Sequence, residues 1–93
     1  MFVILTYDAK EKRVNRCLKI CRKYLVHVQK SVFEGSITQA KLERLQQELK
    51  NVMNPKEDSC CIYIMNSTKY CRKEMFGTAA VRTDIIESHS QDK

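Results

Sequence analysis

The sequence predicts an α+β fold in which two helices cover one face of an antiparallel sheet. Short apolar runs rich in β-forming residues occur between longer segments whose apolar residues recur every three or four positions. The resulting order is strand, helix, strand, strand, helix, strand. At 93 residues, with one Pro and two Gly, the chain has the make-up of one globular domain and not of a disordered or low-complexity protein.

The first half of the chain predicts a strand, a helix and a pair of short strands. Residues 2–7, FVILTY, are too few for a helix and nearly all apolar, which indicates a central strand. Residues 26–37 contain β-branched and aromatic residues around Ser31 and Gly35, which predicts two strands with a bend or bulge between them. The helix between these segments has one apolar face, formed by Val14, Cys17, Leu18, Cys21, Tyr24 and Leu25.

A second helix is predicted in the middle of the chain. Ser36 and Thr38 both suit its N-cap, and Ser36 with Gln39 matches a capping box. Asn54 and Pro55 should end it, because proline disfavours helical backbone in the residue before it. Its buried stripe is formed by Leu42, Leu45, Leu49, Val52 and Met53.

A strand predicted at residues 60–65 completes the β-α-β-β-α-β order of a ferredoxin-like fold, with both helices on one face of the antiparallel sheet. Residues 66–77 look like a polar connection, and residues 79–86 suggest one extra C-terminal strand. We therefore expect a single ferredoxin-like domain over residues 1–88 and a flexible C-terminal tail at residues 89–93.

The second face of such a sheet would be uncovered in a monomer. Depending on the strand register, it would expose Val3, Leu5, Phe33 or Ile62. A small domain gains considerably from burying such a surface against a partner. The sequence therefore predicts a homodimer formed face to face, or a ligand on that face.

Positive charge is concentrated in one segment. Residues 10–30 contain eight basic residues and one acid, whereas the rest of the chain is nearly neutral. Such a stripe favours the binding of a polyphosphate such as a nucleic acid, because each neutralised phosphate releases condensed counterions. The alternative is a solvated helix face that only maintains solubility. The candidates for binding nucleic acid are Lys12, Arg13, Arg16 and Lys19.

Composition and motifs disfavour several other classes of protein. The five cysteines lack the spacing of a zinc site, and we expect them to be small hydrophobic side chains in a reducing compartment. The apolar start of the chain is too short for a membrane span or a signal sequence, which predicts a cytoplasmic protein with no membrane partner. The chain contains no P-loop, dinucleotide-binding, metalloprotease or serine-hydrolase motif.

Asp8 is the candidate catalytic and metal-binding residue, because it is a lone carboxylate at the end of the first strand. It could instead cap the helix that follows, since Asp is a preferred cap. In a homodimer with this strand at the two-fold axis, the two Asp8 carboxylates would meet. A Mg²⁺ ion shared between them would relieve their repulsion and could assist phosphodiester hydrolysis. His27, in a strand-like stretch, looks like a structural or edge residue.

Several of these segments together resemble a known family. Tyr7 and Asp8 close the apolar first strand, a basic helix with Arg13 and Arg16 follows, and residues 28–35 read VQKSVFEG. Over about the first 66 residues the chain is similar to the CRISPR-associated endoribonuclease family, the small non-integrase subunit of the spacer-acquisition complex. The VQKSVFEG string is the most specific part of this resemblance.

The resemblance implies a ferredoxin-like homodimer that acts in CRISPR adaptation. Such a dimer bridges two integrase dimers while double-stranded DNA lies across its basic surface, and its two Asp8 carboxylates share a Mg²⁺ ion. Family members are also described as metal-dependent nucleases that act on single-stranded RNA or double-stranded DNA. By position, the resemblance implies Tyr7, Asp8, Ser31 and Phe33 as catalytic-site residues. Packing roles for Tyr7 and Phe33, and a bulge role for Ser31, are the alternatives.

Three functions are open on the sequence alone. The first in rank is a DNA-binding scaffold for an integrase, and the second is a metal-dependent endonuclease centred on paired Asp8. The third is a toxin-like ribonuclease of the virulence-associated type, or a non-catalytic ferredoxin-like regulatory module. An adjacent integrase gene and repeat array are required only by the CRISPR functions.

Overall fold

The computed structural model describes residues 1–66 and 71–78, and it confirms the predicted α+β fold. All six predicted elements are present in the predicted order, and a fifth strand follows them. The elements are β1 (Phe2–Asp8), α1 (Glu11–Arg22), β2 (Val26–Gln29), β3 (Val32–Ser36), α2 (Gln39–Val52), β4 (Ser59–Met65) and β5 (Cys71–Gly77).

The five strands form one sheet in the order β2-β3-β1-β4-β5, and every neighbouring pair is antiparallel. The apolar first strand is therefore central, as its composition predicts. In its register Leu5 lies opposite Phe33 on β3 and opposite Ile62 on β4. Because side chains alternate across a sheet, these three residues share one face.

Both helices pack on that face and form a single core with it. Cys17 and Cys21 of α1 are fully buried, as the apolar stripe of this helix predicts. The stripe of α2 contributes three leucines with no exposed surface. The helix-covered face of the sheet completes the core with Val3, Leu5, Tyr7, Phe33, Cys60, Ile62 and Ile64.

The residues on the uncovered face differ from those that the sequence suggests. Val3, Leu5, Phe33 and Ile62 all lie beneath the helices with no exposed surface, so the expectation that one of them would be exposed is wrong. The sequence leaves the choice open because a shift of one residue in register exchanges the two faces of a strand. The open face carries, among others, Phe2, Ile4, Cys61, Tyr63, Met65 and Met75.

The last described strand lies where the sequence suggests a connection. Residues 71–77 form β5, which pairs with β4 along its whole length, so the expectation of a polar connection over residues 66–77 is wrong for this part. Charged residues are compatible with a strand here because β5 is at an edge of the sheet and remains half exposed. The extra strand suggested at residues 79–86, the domain end at residue 88 and the tail at residues 89–93 lie outside the described residues.

The N-terminus of α2 is capped by one side-chain hydroxyl group. Thr38 is the N-cap, and its side chain accepts a hydrogen bond from the backbone N–H of Lys41 at 3.2 Å. Ser36 is instead the last residue of β3, so the capping box proposed from Ser36 and Gln39 is not formed. Among the described helices, none is long and apolar enough to cross a membrane.

Candidate metal and nucleic-acid site

Asp8 lies at the carboxyl end of the central strand, on the open face of the sheet. It is exposed, and its partner in the β4 register is Ser59. Its carboxylate forms no hydrogen bond or ion pair with any described residue. It does not cap α1 either, because the N-cap of that helix is Lys10. An exposed carboxylate with all its acceptor sites free is suited to bind a cation or a proton donor from outside the protomer.

Tyr7 points to the opposite face and is buried in the core. Its hydroxyl donates to the carbonyl oxygen of Val14 at 3.3 Å, and its ring stacks on Phe33 with the ring centres 6.1 Å apart. Burial, with further contributions from Cys21 and Cys17, raises the pKa of Tyr7 to about 12. The phenol is therefore neutral at physiological pH and serves as a donor inside the fold.

Ser31 and Phe33 belong to the Tyr7 side of the sheet. The backbone N–H of Tyr7 donates to the carbonyl oxygen of Ser31 at 3.2 Å, and the Ser31 side chain partly opposes the rise in the pKa of the Tyr7 hydroxyl. Phe33 has no exposed surface. Within one protomer the structure therefore brings Tyr7, Ser31 and Phe33 together and separates all three from Asp8.

Three of the four predicted basic residues form one exposed stripe on α1. Lys12, Arg16 and Lys19 are spaced four and three residues apart, which puts them on the same side of a helix. None of them forms a hydrogen bond or ion pair with a side chain in the described part of the chain. We call these three residues the α1 basic stripe. Its charges are free to bind phosphate groups.

Arg13 does not belong to this stripe. Its Nε donates to Asp58 Oδ2 at 2.6 Å and its Nη2 donates to Glu57 Oε1 at 2.6 Å, and only 13% of its side chain is exposed. That Arg13 binds nucleic acid stays a prediction, and in this structure its guanidinium group is engaged within the fold. The pKa of Arg13 is raised by its hydrogen bonds to Asp58 and Glu57.

Asp58 is the residue that the sequence patterns do not reveal. It is fully buried at the turn before β4, and it joins three parts of the chain. Its Oδ1 accepts the backbone N–H of Lys10 at 2.9 Å and Arg13 Nη2 at 3.2 Å, and its Oδ2 also accepts the backbone N–H of Asn54 at 2.8 Å. It thereby satisfies a donor at the start of α1, where no side-chain cap is present.

The electrostatics of Asp58 agree with this role. Burial alone raises the pKa of its carboxyl, but the hydrogen bonds from Arg13, Asn54 and Lys10 outweigh burial and lower the pKa to about 2. The carboxylate is therefore ionised at physiological pH. No local sequence signal could have identified it, because Asp58 and Arg13 are 45 positions apart.

Four of the five cysteines behave as packing residues, and the exposed Cys71 departs from that expectation. Cys17, Cys21, Cys60 and Cys61 are buried, whereas Cys71 is exposed. Burial raises the pKa of each of the four buried thiols, and that of Cys21 to about 12. Thiols in this state are neutral and poorly reactive.

A single protomer does not assemble a metal centre within residues 1–66 and 71–78, which contain no cluster of three or more His, Cys, Asp or Glu side chains placed to hold an ion. Asp8 nevertheless offers the type of ligand that Mg²⁺ prefers, a carboxylate oxygen that is not engaged elsewhere. Mg²⁺ commonly binds through one or two carboxylates and keeps several waters. Asp8 fits that requirement if a second copy of the chain supplies its own Asp8.

Sequence comparisons identify relatives over most of the chain. Residues 1–74 match the family model described as CRISPR associated protein Cas2. A protein of Dictyoglomus turgidum named CRISPR-associated endoribonuclease Cas2 is 46% identical over 77 residues, which cover 83% of this chain and 88% of the relative. A protein of the same name from Thermotoga maritima is 47% identical with the same coverage of both chains.

Solved structures agree with the sequence comparisons. A crystal structure described as cas2 superposes with a TM-score of 0.69 at 40% identity, and it covers 75% of this chain and 79% of that chain. The crystal structure of Streptococcus pyogenes Cas2 at pH 6.5 superposes with a TM-score of 0.66 at 32% identity, with 73% and 89% covered. Sequence and fold together show that this chain belongs to the Cas2 family of CRISPR-associated proteins.

Proposed function

We propose that the protein acts in CRISPR adaptation as a homodimeric scaffold that binds double-stranded DNA and the CRISPR integrase. We further propose that the two Asp8 carboxylates of the dimer hold one Mg²⁺ ion and that this centre supports endonucleolytic hydrolysis of phosphodiesters. The observation that carries the proposal is the position of Asp8, an exposed and unengaged carboxylate at the end of the central strand on the uncovered face.

The open face supports the dimer. Phe2 and Tyr63 are each more than one third exposed there, and Ile4 and Met65 are half buried beside them. Contiguous apolar surface of this kind commonly marks an interface. A two-fold interface presents the same patch from both copies, so a residue near the axis meets its own symmetry mate. Asp8 lies on this face and is therefore available for such a pairing.

The α1 basic stripe supports binding of nucleic acid. Its three charges are exposed and unpaired within the described part of the chain, and backbone phosphates are the groups that such charges bind. Contacts of this type position a duplex without reading its sequence. This suits a scaffold that must accept DNA of many sequences.

The hydrolytic part of the proposal depends on the paired carboxylates. When bound, Mg²⁺ supplies the Lewis acidity that polarises a phosphodiester. Asp8 would hold the ion, and the α1 basic stripe would hold the backbone of the nucleic acid. Tyr7 and Phe33 would support the strand end by packing beneath it. RNA is the first substrate to test, because the relatives are named endoribonucleases.

Family membership favours the CRISPR role over the toxin-like ribonuclease and the regulatory module. The Cas2 family model covers residues 1–74, which include every residue used in the proposal. The integrase partner can be tested by pull-down with the integrase encoded beside the CRISPR array. An array with no such integrase gene nearby would contradict the scaffold role.

The metal centre is tested with Asp8→Asn, which keeps the size of the side chain and removes its charge. We expect Mg²⁺ binding, measured by calorimetry, and Mg²⁺-dependent cleavage of RNA and DNA both to be lost, because a neutral amide cannot replace the carboxylate. The dimer, measured by analytical ultracentrifugation, should persist. Glu11→Gln is the matched control, since Glu11 is an exposed acid three residues away. This variant should leave both Mg²⁺ binding and cleavage unchanged. Mg²⁺ binding that is unchanged in Asp8→Asn would contradict the centre.

The scaffold is tested with Arg16→Glu combined with Lys19→Glu. We expect duplex affinity to fall and the slope of log affinity against log salt to shrink by about one for each phosphate that is no longer neutralised. Lys41→Glu with Lys56→Glu is the control, because both residues are exposed cations outside α1. Equal reductions in the two double variants would indicate that only net charge matters, and would contradict a binding surface on α1.

A further inference from the structure

His27 occupies an exposed position at one edge of the described sheet. It lies on β2, the edge strand, all four residues of which are exposed. Its ring stacks on Phe33 with the ring centres 4.6 Å apart and the planes 13° from parallel. Phe33 in turn stacks on Tyr7. An aromatic row therefore runs from the core outwards and ends in a ring that solvent reaches.

The His27 ring is held in a fixed orientation. Its Nε2 lies 3.0 Å from the carbonyl oxygen of Lys30. Because a carbonyl oxygen can only accept, Nε2 carries the proton in this contact and Nδ1 is left without a partner among the described residues. With one face against Phe33 and one edge bonded to the hairpin turn, the ring loses little further freedom when something stacks on it.

The surroundings of His27 favour an anion. The chain has no acidic residue between Glu11 and Glu34, and Glu34 lies opposite Val26, so that its side chain is on the other face of the sheet from His27. Arg22 and Lys30 flank β2 in sequence, both are exposed, and neither forms an ion pair with another described residue. A flat aromatic face beside exposed cations is the combination that binds single-stranded nucleic acids, in which a base stacks on the ring and the phosphates lie on the cations.

We propose that His27 is a stacking platform for an unpaired nucleobase, and that Arg22 and Lys30 contact the phosphates on either side of that base. This inference rests on the proposed function and deepens it, since it names a contact that favours single-stranded over double-stranded substrate. Bases inside a duplex are already stacked on their neighbours and cannot reach the ring. The platform thus gives the protein a way to hold single strands beside the duplex surface on α1, the helix that ends at Arg22.

The test compares three variants of the full-length protein with wild type. His27→Gln removes the ring and keeps an N–H donor, His27→Trp keeps and enlarges an aromatic face, and Val26→Ala is a control at the neighbouring exposed position. Affinity for a short RNA containing 2-aminopurine, and for a short DNA duplex, is measured by fluorescence. We expect His27→Gln to weaken RNA binding roughly 5- to 100-fold and to lose the 2-aminopurine quenching that stacking causes. His27→Trp should retain both, and duplex affinity should not change in any of the three.

A measurement on the wild-type protein tests the inference without relying on a variant that could misfold. Adding the same RNA should move the imidazole proton signals of His27 upfield in NMR spectra, because the stacked base exerts a ring current on them. Imidazole signals that do not move, or His27→Gln that binds and quenches as wild type does, would overturn the inference while leaving the proposed function intact.

Two further outcomes have distinct meanings. If His27→Gln weakens dimerisation or integrase binding and leaves RNA binding unchanged, the ring belongs to a protein interface and the inference is wrong. If wild type binds neither RNA nor duplex DNA, the proposed function fails, and the inference fails with it.

Discussion

At the scale of single residues, an arginine in a basic segment is not necessarily a binding residue. Arg13 lies among the cations of α1, yet its guanidinium group binds Asp58 and Glu57 within the fold. The neighbouring Arg16 has the same chemistry and is exposed. The difference arises because Arg13 is near the first turn of α1, next to the turn that precedes β4, and a buried carboxylate must be paired there.

Replacing Asp58 with alanine should destabilise the protein by ~3–5 kcal/mol, because it leaves Arg13 and two backbone N–H groups without their acceptor. Glu57→Ala is the control, since it removes the more exposed partner of the same arginine and should destabilise the protein much less. Urea denaturation of both variants measures the difference. Equal destabilisation would show that Asp58 does not hold α1 to the turn.

Stability should also depend on pH through Asp58. Its pKa is about 2 in the folded state and ~3.9 in an unfolded chain, so the unfolded state binds more protons between those values. The contribution of Asp58 is therefore complete above about pH 5 and is lost as the pH falls towards 2. Urea midpoints measured from pH 5 to pH 2.5 should fall less steeply for Asp58→Asn than for wild type. Glu48, Glu57 and Glu74, whose pKa values are also lowered, should leave a residual slope in the variant. Identical slopes in the two proteins would contradict the assignment.

At the scale of elements, the starts of two helices can be set by very different partners. Thr38 caps α2 from within its own segment, and sequence patterns detect caps of this kind. The start of α1 is satisfied by Asp58, which comes from another part of the chain. The first arrangement can be predicted from nearby residues, whereas the second depends on the fold.

The assigned cap of α2 can be tested with a matched pair of variants. Thr38→Ala should cost ~1 kcal/mol of stability, because the backbone N–H of Lys41 loses its acceptor. Ser36→Ala should be nearly neutral, since Ser36 is at the end of β3 and its hydroxyl does not cap the helix. Thermal unfolding of the two proteins tests this. A larger effect for Ser36→Ala would restore the capping box and contradict the assigned cap.

The fifth strand is fixed by contacts that periodicity does not reveal. Glu74 of β5 accepts a hydrogen bond from Gln46 of α2 at 2.7 Å, and the ammonium group of Lys50 lies 5.3 Å from the centre of the Phe76 ring. Only a short part of residues 66–77 is apolar, so the segment looks like a loop in the sequence. Residues 71–77 of this segment form a strand because β4 offers a full edge for pairing and α2 offers partners for Glu74 and Phe76.

At the scale of the whole molecule, the two helices cover one face of the sheet, and the opposite face is open to a partner. If that partner is a second copy, a charge at the centre of the face should separate the two. We expect Tyr63→Glu to yield a monomer in analytical ultracentrifugation, because the buried charges would be unpaired. Ala40→Glu, a like change at an exposed position of α2, should leave the dimer intact. A dimer that persists in Tyr63→Glu would show that the copies pair elsewhere, and would remove the support for paired Asp8.

The type and order of the first six elements, and the buried stripes of both helices, follow from the amino-acid sequence without any knowledge of the fold. These features depend on periods of two and about 3.6 residues, which are local properties of the chain. Asp8 and the cationic segment can be identified in the same way, because a lone acid at a strand end and a run of cations are visible in the residues themselves.

Two features could be known only from the folded chain: which side of each strand is buried, and that Arg13 is engaged by Asp58. Each of these depends on strand register or on an interaction between residues far apart in the chain, and short-range patterns carry no information about either. The stacking of His27 on Phe33 has the same origin, since the pairing of β2 with β3 brings the two rings together.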